Sequence, residues 1–287
     1  MLLLKELTQY KNELNTLSIG KWTSEEMNFL FAILTQVRDE GCKEMFFDTN
    51  SLKMYVNFDR NKPDRWNKTM ISVAKKISQL VYFNMENGIF EAMPLFRKFS
   101  VDTKTNIVAV KVSEEMSYIL NKLNIDTANW TAFDFAEFSN LRSTYSKTVY
   151  RHLKQFKKTG WWRIDEEDFR TLLDIPKSYK ATHIDSRVLA PIQKELPQYF
   201  KGLKIHKIKS KQRGNKVVAY EFTFQKQVTT QWIEGKYHSK TNTKKETLPE
   251  WAKKGYQHEE TEIDDETRKA LDQRLVEYEK KKLNKFR

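Results

Sequence analysis

Between Ser143 and Phe224 the hydrophobic spacing changes from helical to extended and back in an order that few small folds accept. Ser143 precedes a run with Val149, Leu153 and Phe156 on one helical face, and Gly160 is placed to end it. Trp162–Ile164 reads as a short strand. Asp165 then opens a helix carrying Phe169, Leu172 and Leu173. That helix must stop before Ile175-Pro176, because the residue ahead of a proline is biased out of the α region. A turn over Lys177–Ala181 leads to Thr182 as the cap of a further helix reaching about Leu196. Ile184, Val188, Leu189 and Ile192 face inward along it, and Pro191 predicts a kink. Leu203–Ser210 and Lys216–Phe224 alternate around Lys211-Gln212-Arg213-Gly214-Asn215, a hairpin with a basic tip. Helix, strand, helix, tight turn, helix, hairpin is the order of a winged helix-turn-helix.

The first half carries a similar inventory. Thr23 and Glu26 form a capping box ahead of Met27, Leu30, Phe31, Leu34 and Val37, and Gly41 supplies the stop. A strand over Met45–Phe47 and a short helix over Asn50–Val56 follow. Pro63 opens a longer helix with Trp66, Met70, Val73, Ile77 and Leu80 on one stripe. Ile89–Phe99 and Ile107–Val112 read as a hairpin, and Ser113 as the cap of a helix to about Leu123. The expectation is an α+β fold of two tandem winged-helix domains, residues 1–125 and 126–225. A polar, partly helical linker and tail would occupy 226–287. In that tail, residues 235–247 are rich in Lys, Thr and Asn, Leu248–Trp251 is an isolated apolar plug, and Asp264–Phe286 is a charged stretch of weak periodicity.

Charge distinguishes the halves. The 287 residues carry a net charge of +13. Residues 141–225 alone hold 19 Lys/Arg against 8 Asp/Glu, whereas residues 1–140 hold 17 against 18. So dense a positive field favours a polyanion, and nucleic acid is the commonest large one in cytoplasm. The helix from Thr182 leaves His183, Ser186, Arg187, Ala190 and Lys194 outward, beside Lys177, Ser178, Tyr179 and Lys180 of the preceding turn. This is the end of a helix-turn-helix that enters a major groove, where Lys and Arg read guanine edges or hold phosphates. The hairpin adds Lys204, Lys207, Lys209, Lys211, Arg213 and Lys216 for the flanking backbone.

Other chemistry finds little support. His152, His183, His206, His238 and His258 are scattered without metal-ligand spacing, and no GxxxxGK[ST] run exists to cradle a nucleotide phosphate. Asp165-Glu166-Glu167-Asp168 reads as an acidic first helical turn rather than a metal cluster. One cysteine, Cys42, allows no disulfide framework and fits a reducing, cytoplasmic setting. No apolar stretch approaches the ~18 residues of a membrane span. The expectation is a protein without catalytic residues, metal or cofactor.

Trp130–Gly160 (WTAFDFAEFSNLRSTYSKTVYRHLKQFKKTG), Asp168-Phe169-Arg170, Asp174–Tyr179 (DIPKSY), Asp185–Leu196 (DSRVLAPIQKEL), Tyr199–Ile208 (YFKGLKIHKI) and Tyr220–Phe224 (YEFTF) carry a resemblance. So do Tyr10–Leu17 (YKNELNTL) and Glu25–Gly41 (EEMNFLFAILTQVRDEG). Over about residues 9–225 the chain resembles the theta-type, iteron-binding plasmid replication initiators of Gram-positive bacterial plasmids. The resemblance implies two winged helices, the C-terminal one the main reader of double-stranded DNA. Lys177, Ser178, Tyr179, Lys180 and Arg187 stand where the family's reading element lies. It further implies monomers on direct repeats at the origin, homodimers that repress the initiator's own gene, and recruitment of host helicase and initiator proteins without ATP hydrolysis. The N-terminal half would mediate dimerisation, first through the Glu25–Arg38 helix and nearby strands, and a secondary DNA contact. A winged-helix transcriptional repressor satisfies the residue pattern equally well.

Overall fold

Thr23 starts the first helix as its spacing requires. Its hydroxyl accepts the Glu26 N–H at 3.2 Å, and the Glu26 carboxylate accepts the Thr23 N–H at 2.7 Å, closing both halves of a capping box. In this computed structural model the described residues are 5–17, 19, 21–56, 58, 63–77, 79–86, 89–121, 129–211 and 215–227, all within a compact unit covering Met1–Lys236. The expected linker and tail helix lie almost entirely outside them.

The N-terminal half orders β1 (Leu7–Lys11), α1 (Ser24–Val37), β2 (Met45–Asp48), α2 (Thr49–Tyr55), α3 (Pro63–Ile77), β3 (Val81–Glu86), β4 (Ile89–Pro94), β5 (Phe96–Asp102) and β6 (Ile107–Val112). The C-terminal half orders β7 (Trp130–Asp134), α4 (Phe135–Asn140), α5 (Thr144–Gln155), β8 (Trp161–Asp165) and α6 (Glu166–Leu172). The reader helix follows in three parts, α7 (Ala181–His183), a π-helical segment (Ile184–Leu189) and α8 (Ala190–Glu195), and then the wing strands β9 (Lys204–Lys209) and β10 (Val217–Thr223). Each half closes a three-stranded antiparallel sheet with its last strand in the centre, β2-β6-β5 and β8-β10-β9. The two sheets therefore repeat one winged-helix plan.

Two features join the halves. β1 and β7 pair antiparallel from Leu7↔Asp134 to Lys11↔Trp130, so each half gives one strand to a shared ribbon. Aromatic rings then run through the joint: Tyr10 and Phe31 (6.0 Å), Phe31 and Phe138 (4.7 Å), Phe138 and Tyr150 (6.3 Å), Tyr150 and Phe200 (5.6 Å). Rings at such separations add pairwise attraction to their burial.

Several expectations need correction. The run Ile89–Phe99 is two strands broken at Leu95. That fully buried residue donates its N–H to Leu80 O at 3.0 Å and accepts from Ser113 N–H at 3.1 Å, turning the chain between sheets. Val81–Glu86, not assigned from sequence, pairs with β4 as a separate ribbon. Ser113 does cap a turn, through Met116 N–H at 3.3 Å, but only the 3-10 turn Ser117–Ile119 follows among the described residues. The Glu25–Arg38 helix is buried along nearly its whole length, from Glu26 to Val37, because α3, α4 and α5 surround it. It has no face left for a dimer contact.

Candidate nucleic-acid interface

The C-terminal reader begins at Lys180, not Thr182. Lys180 has extended backbone and its N–H is accepted by His183 Nδ1 at 3.2 Å, so the helix starts two residues earlier than the Thr182 hydroxyl predicts. Asp165 likewise precedes α6 without a side-chain capping bond. The apolar stripe lies inward as spacing requires: Ile184, Val188, Leu189 and Ile192 are buried, while Lys177, Ser178, Lys180, Arg187 and Lys194 are exposed and Tyr179 and His183 half-buried. The helix continues through Pro191, and the π segment just before it places the register shift of the ladder where the proline lacks a donor.

Three side chains of this face form a small array. The Arg187 guanidinium lies over the Tyr179 ring at 5.3 Å and donates to its hydroxyl at 3.3 Å. Tyr179 in turn packs near His183, ring centroids 5.6 Å apart. Stacking holds the guanidinium as a planar fork, the form in which it addresses two acceptors at once. Nothing in the sequence separates this pair, eight residues apart across a turn, from any other Tyr and Arg.

The wing stands beside the reader. Lys204, Lys207, Lys209, Lys211 and Lys216 are all exposed on or flanking β9 and β10, whereas Arg213 lies outside the described residues. Lys207 donates to the Asp185 carboxylate on the reader helix, so it ties the wing to that helix instead of presenting a free cation. Lys209, Lys211 and Lys216 remain at the outer end.

A family model described as "Initiator Replication protein, WH1" matches residues 7–154, and one described as "Initiator Rep protein, WH2" matches residues 165–224. The chain belongs to the initiator replication protein family. It is 28% identical over 222 residues to a "Probable replication protein rep" of Bifidobacterium longum (strain NCC 2705), across 76% of this chain and 72% of the relative. Its fold is similar to that in "Crystal structure of Pi initiator protein in complex with iteron DNA", with a TM-score of 0.59 at 13% identity, covering 78% of this chain and 98% of that one. The protein is a plasmid replication initiator built on two winged-helix domains.

In this initiator the positive charge of residues 141–225 is divided between two tasks. One stripe of α5 turns its cations away from the reader and into the joint with the N-terminal half. Lys147, fully buried, donates to Asn28 Oδ1 and Phe138 O, each at 2.6 Å, and sits over the Phe138 ring at 4.3 Å. Burial pulls its ammonium down to about 7, with Glu195 opposing. Arg151 lies over Phe31 at 5.0 Å. Its Nε and Nη2 have no hydrogen-bond partner among the described residues, and burial lowers its pKa. Lys154 pairs with Glu137 at 2.9 Å. Lys157 covers the Trp130 ring at 5.2 Å, and burial lowers it to about 8. Asn15 completes the seam by donating to Thr131 Oγ1 at 3.0 Å and Gln155 Oε1 at 2.9 Å.

The remaining sequence candidates have structural places. Trp162 is buried between His152 and Phe222, both centroids 5.0 Å away, and burial drops His152 to about 3, so it is neutral at ordinary pH. Glu166 pairs with Arg170 inside α6. Among the described residues no group of three His, Cys, Asp or Glu is placed to hold a metal, and no helix is long and apolar enough to cross a membrane.

Proposed function

We propose that this initiator binds direct repeats of double-stranded DNA in its plasmid origin. The reader helix would enter the major groove with Lys177, Ser178, Tyr179, Lys180, His183, Arg187 and Lys194, and the wing cations would hold flanking phosphates. The observation that carries the reading is the stacked Tyr179–Arg187 pair, at the exposed start of a helix whose opposite face is wholly buried. The Pi initiator's complex with iteron DNA supports it by likeness of fold. Nuclease footprinting of DNA flanking the coding region tests it. Protections recurring at one helical face in tandem support repeat binding, whereas one isolated operator at the promoter favours a repressor alone.

The initiator acts in the cytoplasm, opens an adjacent AT-rich segment and recruits host replication proteins, with residues 226–287 as one candidate docking element. Its action requires no bond cleavage; supercoiled origin DNA incubated with protein and Mg²⁺ stays unnicked. Homodimers form through the β3–β4 ribbon, where exposed Phe83 and Phe90 stack at 5.5 Å beside exposed Ile89. An apolar patch of this kind on a two-stranded ribbon is a natural interaction surface. Lys68, exposed on α3 beside the Arg65–Glu25 ion pair, is the residue for a secondary DNA contact.

A further inference from the structure

The reader helix buries Ile184, Val188, Ile192 and Leu196, spaced by a constant four residues and exposed by 1, 0, 0 and 0%. A plain α-helix turns about 100° per residue, so twelve residues would carry Leu196 about 120° round from Ile184. One end of the stripe would then face solvent. The wider turn of the π segment prevents this: the Ala190 N–H donates to Asp185 O, five residues back instead of four. A π-bulge takes up one extra residue and leaves both flanks in phase. Its position follows from Pro191. Proline has no N–H, so the Arg187 carbonyl has no α-type donor, and the ladder is already interrupted where the register shifts.

The two flanks do different work. Downstream, Ile192 and Leu196 are anchored in the core, and Glu195 accepts the Ser143 N–H at 3.3 Å. Upstream stand Lys180, His183 and Arg187. We propose that Pro191, acting through the π segment, is a specificity-determining positioning residue that sets the rotational phase of these three relative to the anchored end. The same side chains on a regular helix would swing by about 100° and meet other base edges or none. This inference rests on the reading of the helix as the DNA reader.

Selection from a random duplex library with the full-length wild-type chain defines the motif it enriches, and the variants are then measured on that motif. Pro191→Ala restores the missing donor. Because the swing also lifts Ile184 and Val188 from the core, the variant is expected to lower the melting temperature, and, at a temperature where it stays folded, to keep binding to mixed-sequence duplex within about twofold, since the wing's phosphate contacts are untouched. Its affinity for the enriched motif is expected to fall by about tenfold or more. Deleting Ala190 in the same background brings Val188 and Ile192 to a spacing of three, which a plain α-helix keeps on one face. That double variant is expected to recover motif binding to within about threefold. Wild-type motif affinity in Pro191→Ala, or a double variant no better than Pro191→Ala, overturns the proposal. Failure of the wild-type chain to enrich any motif overturns the DNA reading itself and the inference with it.

Discussion

Replacing Lys147 by Met removes a buried charge from the seam between the two halves, and the consequence depends on pH. Burial lowers its pKa from 10.5 to about 7. Between those values the folded chain binds fewer protons at this site than the unfolded chain, so stability rises with pH, by up to about 1.4 kcal/mol per unit. From pH 7 to pH 9 this amounts to about 2 kcal/mol; below pH 7 both states are protonated and the contribution is flat. Met abolishes the titration but leaves Asn28 Oδ1 and Phe138 O without their donor, at about 1–3 kcal/mol each. That loss is offset at pH 7 by release of the charge-burial penalty, of order 4 kcal/mol. Lys147→Met is therefore expected within about 2 kcal/mol of wild type at pH 7, and to lose about 2 kcal/mol relative to wild type by pH 9. Urea unfolding at both pH values measures this. Lys157 titrates in both proteins, so their difference isolates Lys147. Parallel pH dependence in the two would show that the ammonium is not desolvated as described.

Three further outcomes are expected. Arg187→Ala weakens binding to the cognate site by about 1–3 kcal/mol while barely changing binding to mixed-sequence DNA, because a guanidinium that reads a base contributes only where that base is present; equal losses on both duplexes would make it a phosphate contact. Lys211→Ala with Lys216→Ala lowers the slope of log K against log salt by about 2 or less, seen in titrations at several salt concentrations, and an unchanged slope would remove the wing's outer end from the interface. His152→Phe keeps the stack on Trp162 and removes acid sensitivity. His152 falls from 6.5 to about 3 on folding, so stability present above pH 6.5 is lost as pH drops, about 2 kcal/mol by pH 5. Denaturant midpoints at pH 7 and 5 should converge in the variant and separate in wild type, and an equal shift in both would place the acid sensitivity elsewhere.

Local signals carried much of the architecture. Thr23 and Ser143 start their helices through the expected hydroxyl bonds, and the element order from α5 to β10 follows the hydrophobic spacing. What escaped had partners far away in the chain. Leu7–Lys11 and Trp130–Asp134 are strands because they pair with each other, and neither five-residue run has a periodicity that sets it apart. Asp134, the cap of α4 through Ala136 N–H at 2.7 Å, was hidden for the same reason, since it ends an unrecognised strand. Pro191 was read as a kink because proline's missing donor is visible in sequence, while the register shift that accommodates it appears only with the buried stripe in place.

By itself the sequence determined the succession of elements from α5 to β10, the inward stripe of the reader and the concentration of Lys and Arg between residues 141 and 225. Those depend on neighbours a few positions apart. Tertiary structure alone decided what each cation does. Lys147, Arg151 and Lys154 recur on one face of α5, with Lys157 just past its end, much as reading residues would, yet α1, α4 and the β1–β7 ribbon cover that face and fix these side chains in the seam. Arg187 and Lys211 are exposed among the described residues. A helix's periodicity says which side chains share a face; only packing against distant segments says whether that face meets solvent, DNA or the rest of the protein.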